Sequence, residues 1–300
     1  MEIQIREFLD HLRIAKNYSH NTIEAYRNDL NQFLNFTANE RPHLTYWSRV
    51  DKPLLLSFLI HLKEREYTAS SVSRKVAVIK TFFHYLAEHH HIADDPTATL
   101  DSPKVDKRPP QTLAPDEMER LLAAPASLST PKGFRDRAIL ELLCASGLRV
   151  TELVSLDVTD VNLPNGTVHC AGTGAKRRVI PVEARAMDTL ADYLRRGRPA
   201  LTTNADERAL FVNPHGERLT RQGLWLIIKE YVKEAKINGA VSPHMLRHSF
   251  AVLLLSRGAE LESVQRLLGH TNITTTQIYA RMVAQRALVP VMPPEFVNKP

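Results

Sequence analysis

The segment Ser242-Pro243-His244-Met245-Leu246-Arg247-His248 concentrates groups suited to an anion. Ser242 is a good helix N-cap and Pro243 suits the first helical position, so a helix is predicted over 243–256. His244 and Arg247, three apart, then share a face near the positive end of that helix, a ready anion site. His244 and His248 are four apart, as on a zinc-binding helix. Met245 stands where a metalloprotease needs a glutamate, which disfavours zinc. Downstream, Gly269 ends a predicted helix over 261–268 and sets His270 at a sharp turn. Thr274-Thr275-Thr276 opens a further helix, predicted over 275–282, with Tyr279 on its first turns. A lone tyrosine is most often a half-buried core or surface residue. Its phenol, with a pKa of about 10, is a poor nucleophile at neutral pH unless cations or a base assist it. Arg149, at the glycine-marked helix end Gly147-Leu148, and Glu152 three residues later are candidates for that assistance.

The elements that must position these groups fall into two parts. In the first third, Ile23, Tyr26, Leu30, Phe33 and Leu34 follow helical spacing, with Asn21 and Glu24 as an expected capping box. A helix over 54–62 starts near Asp51 and Pro53, and Val72, Val76, Ile79, Phe83 and Leu86 mark another. With the amphipathic N-terminal segment this predicts a four-helix unit over residues 1–91. Arg27, Arg74, Lys75 and Lys80 lie off the apolar stripes, as on a solvated charged face. Five prolines between Asp94 and Pro115, with Lys104, Lys107 and Arg108 among them, predict a semi-rigid linker, placed over 92–112. It is equally a solvated tether or a strap along a phosphate backbone.

The remainder, 113–286, reads as mixed. Helices are predicted over 115–124, 134–145, 185–196 and 221–235, besides those above. Strands over 167–171 and 178–182 flank the hairpin turn Gly172-Thr173-Gly174. The fold class is therefore mainly α with a small β-hairpin (α+β). No alternating strand–helix series points to a doubly wound sheet. A proline-broken tail, 287–300, follows, with Leu288, Val289 and Val291 as a potential docking plug.

The chain has 300 residues, a formal charge of +6, 43% hydrophobic and 24% charged residues. That composition supports real cores and permits nucleic-acid binding without demonstrating it. Two cysteines, Cys144 and Cys170, make no disulfide framework and suit a reducing compartment. No apolar run approaches the roughly 20 residues that span a bilayer, and the N-terminal segment reads as an amphipathic helix and not as a signal peptide. A cytoplasmic protein without membrane partners is expected. The histidine run 89–91 is expected to end a helix, and no metal site is expected.

Together, Ala145-Ser-Gly-Leu-Arg149-Val-Thr-Glu152-Leu153, His244-Met-Leu-Arg247-His248-Ser-Phe-Ala, Leu-Gly269-His270 and Thr-Thr-Gln-Ile-Tyr279 closely resemble the tyrosine recombinase (phage-integrase) family. Asn21-Thr22-Ile23-Glu24-Ala25-Tyr26-Arg27-Asn28-Asp29-Leu30 extends the match, and length and layout are similar to its Xer subgroup. The resemblance implies a SAM-like core-binding domain plus a catalytic domain, forming a C-shaped clamp on double-stranded DNA. It implies a synaptic tetramer, with or without a paralogous recombinase. Tyr279 would attack a phosphodiester and form a 3′-phosphotyrosyl link. Arg149 and Arg247 would clamp the non-bridging oxygens, and His244 and His270 would assist with the phosphate and proton transfer. Glu152 would orient an arginine or histidine. Arg27, Arg74, Lys75 and Lys80 would contact DNA. Neither cofactor nor metal is implied, because one phosphodiester is exchanged for another and the arginines supply the charge. The sequence departs from the family at Thr173, where the Xer turn carries a lysine that acts as general acid; Lys176 is the nearest replacement. Two rivals stand beside this reading: a catalytically impaired DNA-binding protein of the same fold, and a type IB topoisomerase.

Overall fold

The computed structural model describes residues 1–103, 109–127, 129–171, 177–202, 204 and 206–287. The expected turn at 172–174, Lys176, the linker cations Lys104, Lys107 and Arg108, and the tail plug Leu288, Val289 and Val291 lie outside the described residues. The chain divides into two compact units, Met1–Lys107 and Arg108–Pro300.

Among its described residues the first unit holds four α-helices: α1 (Glu2–Ile14), α2 (His20–Glu40), α3 (Lys52–Glu64) and α4 (Ala69–Glu88). Each exists because its apolar residues recur every three or four positions and meet in one core. That core is aromatic: Phe33 lies against Trp47, Phe58 and Phe83, and Phe8 against Phe82. Side-chain oxygens of Ser19, Asp51 and Thr68 accept from backbone N–H groups and start α2, α3 and α4. The expected capping box at Asn21 is thus displaced: Ser19 caps α2 two residues earlier. Packing also runs past the predicted end of this unit. Ile92 and Leu100 are buried in its core, and Asp95 Oδ1 accepts from the Thr97 N–H at 2.8 Å. The prolines from Pro96 onward therefore begin inside a packed turn and not in a free tether.

The second unit is built around α6 (Pro131–Ser146), which is buried on almost every side. Before it comes α5 (Pro115–Ala123), and after it α7 (Val150–Ser155). Then β1 (Val161–Asn162), β2 (Thr167–Ala171) and β3 (Arg177–Pro181) form an antiparallel sheet in the order β1-β2-β3. Val168 pairs with Ile180 and Cys170 with Arg178. The helices α8 (Ala184–Asp192) and α9 (Arg198–Leu201) are joined by a π turn over Tyr193–Gly197, where one longer helix was predicted. The last helices are α10 (Arg221–Glu234), α11 (Pro243–Ser256), α12 (Leu261–Leu268) and α13 (Thr274–Ala287). A buried Arg135–Asp136 pair ties α6 to α10: Tyr231 donates its hydroxyl to Asp136 at 3.1 Å, and Arg135 donates to the Val212 carbonyl. Among the described residues no helix is long and apolar enough to cross a membrane.

Candidate active site

The site forms where α6, α7, β3, α11, α12 and α13 meet. Gly147 ends α6 in the left-handed region, at φ 59°, and turns the chain into α7. Arg149 is the N-cap of α7, and Glu152 lies one turn on. The Arg149 backbone N–H donates to Glu152 Oε2 at 2.7 Å, and its Nη1 donates to Oε1 at 2.8 Å. From β3, Arg178 approaches the same carboxylate with both terminal nitrogens, at 2.7 and 2.8 Å. From α11, Arg247 Nη1 lies 4.0 Å from Glu152 Oε2. Three guanidinium groups thus surround one carboxylate. Burial pushes the Glu152 carboxyl up, but the hydrogen bonds from Arg178 and from the Arg149 N–H outweigh it and hold the group below its ordinary value. The cluster therefore keeps an excess of two positive charges.

The end of α12 fixes these arginines. A helix leaves its last carbonyls without intrahelical partners. Here Leu267 O accepts from Arg178 Nε, Leu268 O from Arg247 Nη2, and Gly269 O from Arg149 Nη2. Arg247 Nη1 donates in addition to the Gly147 carbonyl. Gly269, at φ 63°, is required: a Cβ there would stand 2.9 Å from Arg178 Nη1. Arg247 is buried; desolvation and then repulsion from Arg149 lower its pKa to about 10, so it stays cationic at neutral pH. The Arg149 side chain remains 36% exposed, open to a ligand.

Tyr279 sits on the second turn of α13 with only 3% of its surface exposed, among Phe250, Val264 and Leu268. Burial raises its phenol pKa, while Arg247 and Arg149 act in the opposite sense. The hydroxyl makes a 2.7 Å hydrogen bond with His248 Nδ1. His270 Nδ1 meets the buried Thr276 hydroxyl at 2.9 Å, and its ring centroid lies 6.3 Å from that of Tyr279. Burial, with Arg247 and Arg149 next, holds His270 down at about 4, so it is neutral at pH 7. His244 is exposed at the start of α11, its ring centroid 6.4 Å from that of His248.

The structure thus gathers Arg149, Glu152, Arg247, His270 and Tyr279 in one place, with His244 at its edge. Two participants escaped the sequence reading. Arg178 looks like an ordinary strand cation until its bidentate contact is seen. His248 stands four residues after His244 and within the family-like motif, but neither signal assigns it a role. Among the described residues no group of three His, Cys, Asp or Glu side chains is placed to hold a metal.

In the first unit the four expected DNA contacts separate. Arg27 is exposed and pairs loosely with Glu24 at 3.3 Å. Arg74 is half-exposed beside Asp29. Lys75 departs from the expectation: it is 6% exposed, and its ammonium donates to Asp29 at 2.7 Å and Gln32 at 2.6 Å. An amphipathic lysine at the edge of the α4 stripe has been drawn inward by the buried Asp29 carboxylate of α2. Lys80 donates to the Leu100 carbonyl at 2.8 Å, so its charge is tied to the chain's own backbone.

Comparison with known proteins agrees with this geometry. Residues 111–286 match the phage integrase family, and residues 5–90 match the phage integrase N-terminal SAM-like domain. Tyrosine recombinase XerC of Roseiflexus sp. (strain RS-1) is 45% identical, with 97% of this chain and 93% of that protein covered. Tyrosine recombinase XerD of Staphylococcus epidermidis (strain ATCC 35984) is 40% identical, with 94% and 95% covered. In fold, the XerH recombinase in its post-cleavage complex with a palindromic difH substrate aligns with a TM-score of 0.77 at 22% identity, over 96% of this chain and 83% of that one. A family model spanning more than half of the residues, and relatives this similar over nearly their whole length, leave one conclusion: the chain belongs to the phage integrase family, the tyrosine recombinases.

Proposed function

We propose that this protein recombines DNA at specific sites, cutting and rejoining strands through a covalent bond between Tyr279 and a 3′-phosphate. The observation that carries the reading is a buried phenol beside a cluster of guanidinium groups with net positive charge. A phosphodiester brings the missing anion. Arg149 and Arg247 take its non-bridging oxygens, because a planar fork matches phosphate in pairs and stays charged. Charge that builds on those oxygens during in-line attack is then met by donors already in place. Glu152 and Arg178 act as positioning residues, holding Arg149 through the carboxylate. Neutral His270 and the exposed His244 serve the phosphate and proton transfer. Lys176 is proposed as the general acid for the departing 5′ oxygen in place of the lysine absent at Thr173. Arg27 and Arg74 contact the DNA backbone. Four protomers on two duplexes, in the cytoplasm, form the working assembly.

The test is a nicked suicide substrate analysed on a denaturing gel. The expected result is a covalent protein–DNA band that Tyr279→Phe abolishes. Its absence in the wild-type protein overturns the reading in favour of a catalytically impaired DNA-binding protein. Relaxation of supercoiled plasmid without a specific site favours a type IB topoisomerase instead. For Lys176, the expected outcome is that Lys176→Ala slows cleavage of an ordinary substrate far more than of one with sulfur at the 5′-bridging position. Equal losses on both substrates remove it as the acid.

A further inference from the structure

We propose that His248 is the general base for Tyr279, taking the phenol's proton through Nδ1 as the phosphotyrosyl bond forms. The inference rests on Tyr279 being the nucleophile and adds the group that makes it one. A phenol that is buried and whose proton is hard to lose needs a fixed acceptor within reach. His248 Nδ1 lies 2.7 Å from the hydroxyl, inside the span for proton transfer between heavy atoms. Both groups are held by rigid helices: His248 by α11, one residue after Arg247, and Tyr279 by α13. The adjacent position in sequence couples the two tasks, because Arg247 is anchored on the Gly147 and Leu268 carbonyls.

In the forward step the Tyr279 oxygen bonds to phosphorus and the bond from phosphorus to the 5′ oxygen breaks. The phenol proton moves to His248 Nδ1, and the leaving 5′ oxygen takes a proton from the general acid proposed above, Lys176. Rejoining reverses both transfers: the imidazolium returns its proton to the departing phenolate. His248 must therefore be neutral before cleavage. Its surroundings favour that form, since burial, then His244 and Arg247 on its own helix, lower its pKa. Tyr279 faces it from α13, and His270, from the segment after α12, is also electrostatically coupled to it.

Single-turnover cleavage of the nicked substrate across a pH series tests the assignment, with His248→Ala and His248→Asn beside the wild type. Asparagine keeps an acceptor near the Nδ1 position but cannot take the proton. The expected result is a loss of about 100-fold or more in both variants, with DNA affinity retained. The wild-type rate is expected to fall at acid pH through a histidine inflection to a plateau above it; in the variants that inflection and plateau are lost and the rate climbs with pH throughout. Added imidazole is expected to raise the rate of His248→Ala. A rate within about threefold of wild type for either variant, with the acidic limb unchanged, overturns the proposal. If His248→Ala does not fold, His248→Asn alone decides. A wild-type protein that forms no adduct removes the nucleophile itself, and so is distinct from a failure of His248.

Discussion

Glu152 shows how much of this site lies in a single carboxylate. It holds Arg178 by two bonds and Arg149 by two more, so its removal leaves buried cations without their counter-charge. Glu152→Gln is expected to cost about 3 kcal/mol of stability, read as a lowered Tm. Because the folded carboxyl titrates below its unfolded value, its contribution is complete above the ordinary glutamate range. It is lost as pH falls through the folded value. His270 acts in an earlier window. Its folded pKa is held at about 4, below the ordinary histidine value, so the unfolded chain binds the extra proton between the two. Stability is therefore full at neutral pH and declines toward pH 4. Melting at neutral pH and at about pH 5 is expected to show a smaller fall in His270→Gln than in the wild type. His248, shifted in the same direction, accounts for part of the remainder. At this scale the sequence displayed Arg149, Arg247, His270 and Tyr279 through motif and spacing. It hid Arg178 and the role of His248, because their partners lie 26 and 31 residues away, a relation no local pattern encodes.

Among the elements, the legible ones are those with strong end signals. α11 and α12 span the residues predicted, since Ser242-Pro243 starts one and Gly269 stops the other. The six-residue α7 is not legible in the sequence, because so short a helix shows no full hydrophobic period, yet it carries Glu152 and is capped by Arg149. β1, with two residues, was missed for the same reason, and the strand predicted to begin at Arg178 starts one residue earlier. The helix predicted from Thr275 begins at Thr274 and runs on to Ala287. Helix ends also set the site's tolerance. At Gly147 a Cβ would fall 2.5 Å from Phe250 Cδ1 and 3.0 Å from Leu268, in a backbone conformation that side chains rarely adopt. Gly147→Ala is expected to destabilise by about 1–3 kcal/mol. At Gly269 the neighbour is the end of a guanidinium group, so Gly269→Ala is expected to displace Arg178 and Arg149. The measurement is a comparison of Tm with cleavage rate: Gly147→Ala lowers chiefly the first, and Gly269→Ala lowers the rate more than its Tm predicts.

At the scale of the molecule, the chain forms two compact units, and the cations of the first are of two kinds. In the first unit a buried Asp29–Lys75 bond joins α2 to α4, with the Lys75 ammonium 5.2 Å from the Tyr67 ring centroid. Removing one partner of such a pair is costly, so Lys75→Ala is expected to lose about 3 kcal/mol without changing the salt dependence of DNA affinity. Arg27 is expected to behave in the reverse way. Arg27→Ala leaves Tm nearly unchanged and reduces the slope of log affinity against log salt by about 1. Titrations at several salt concentrations separate the two. The sequence placed both residues among the charges outside the apolar stripe. Only the long-range carboxylate in α2 distinguishes a fastening from an exposed contact.

The three consecutive carbonyls at the end of α12 make the site depend on the length of that helix more than on its side chains. One inserted residue turns everything beyond it by about 100° and advances it by about 1.5 Å, and all three arginines then miss their acceptors together. Substituting Leu267 leaves the same oxygen in the same place. At Leu267 the backbone oxygen is what the site uses, so the spacing of this stretch constrains the site more tightly than the identity of that side chain.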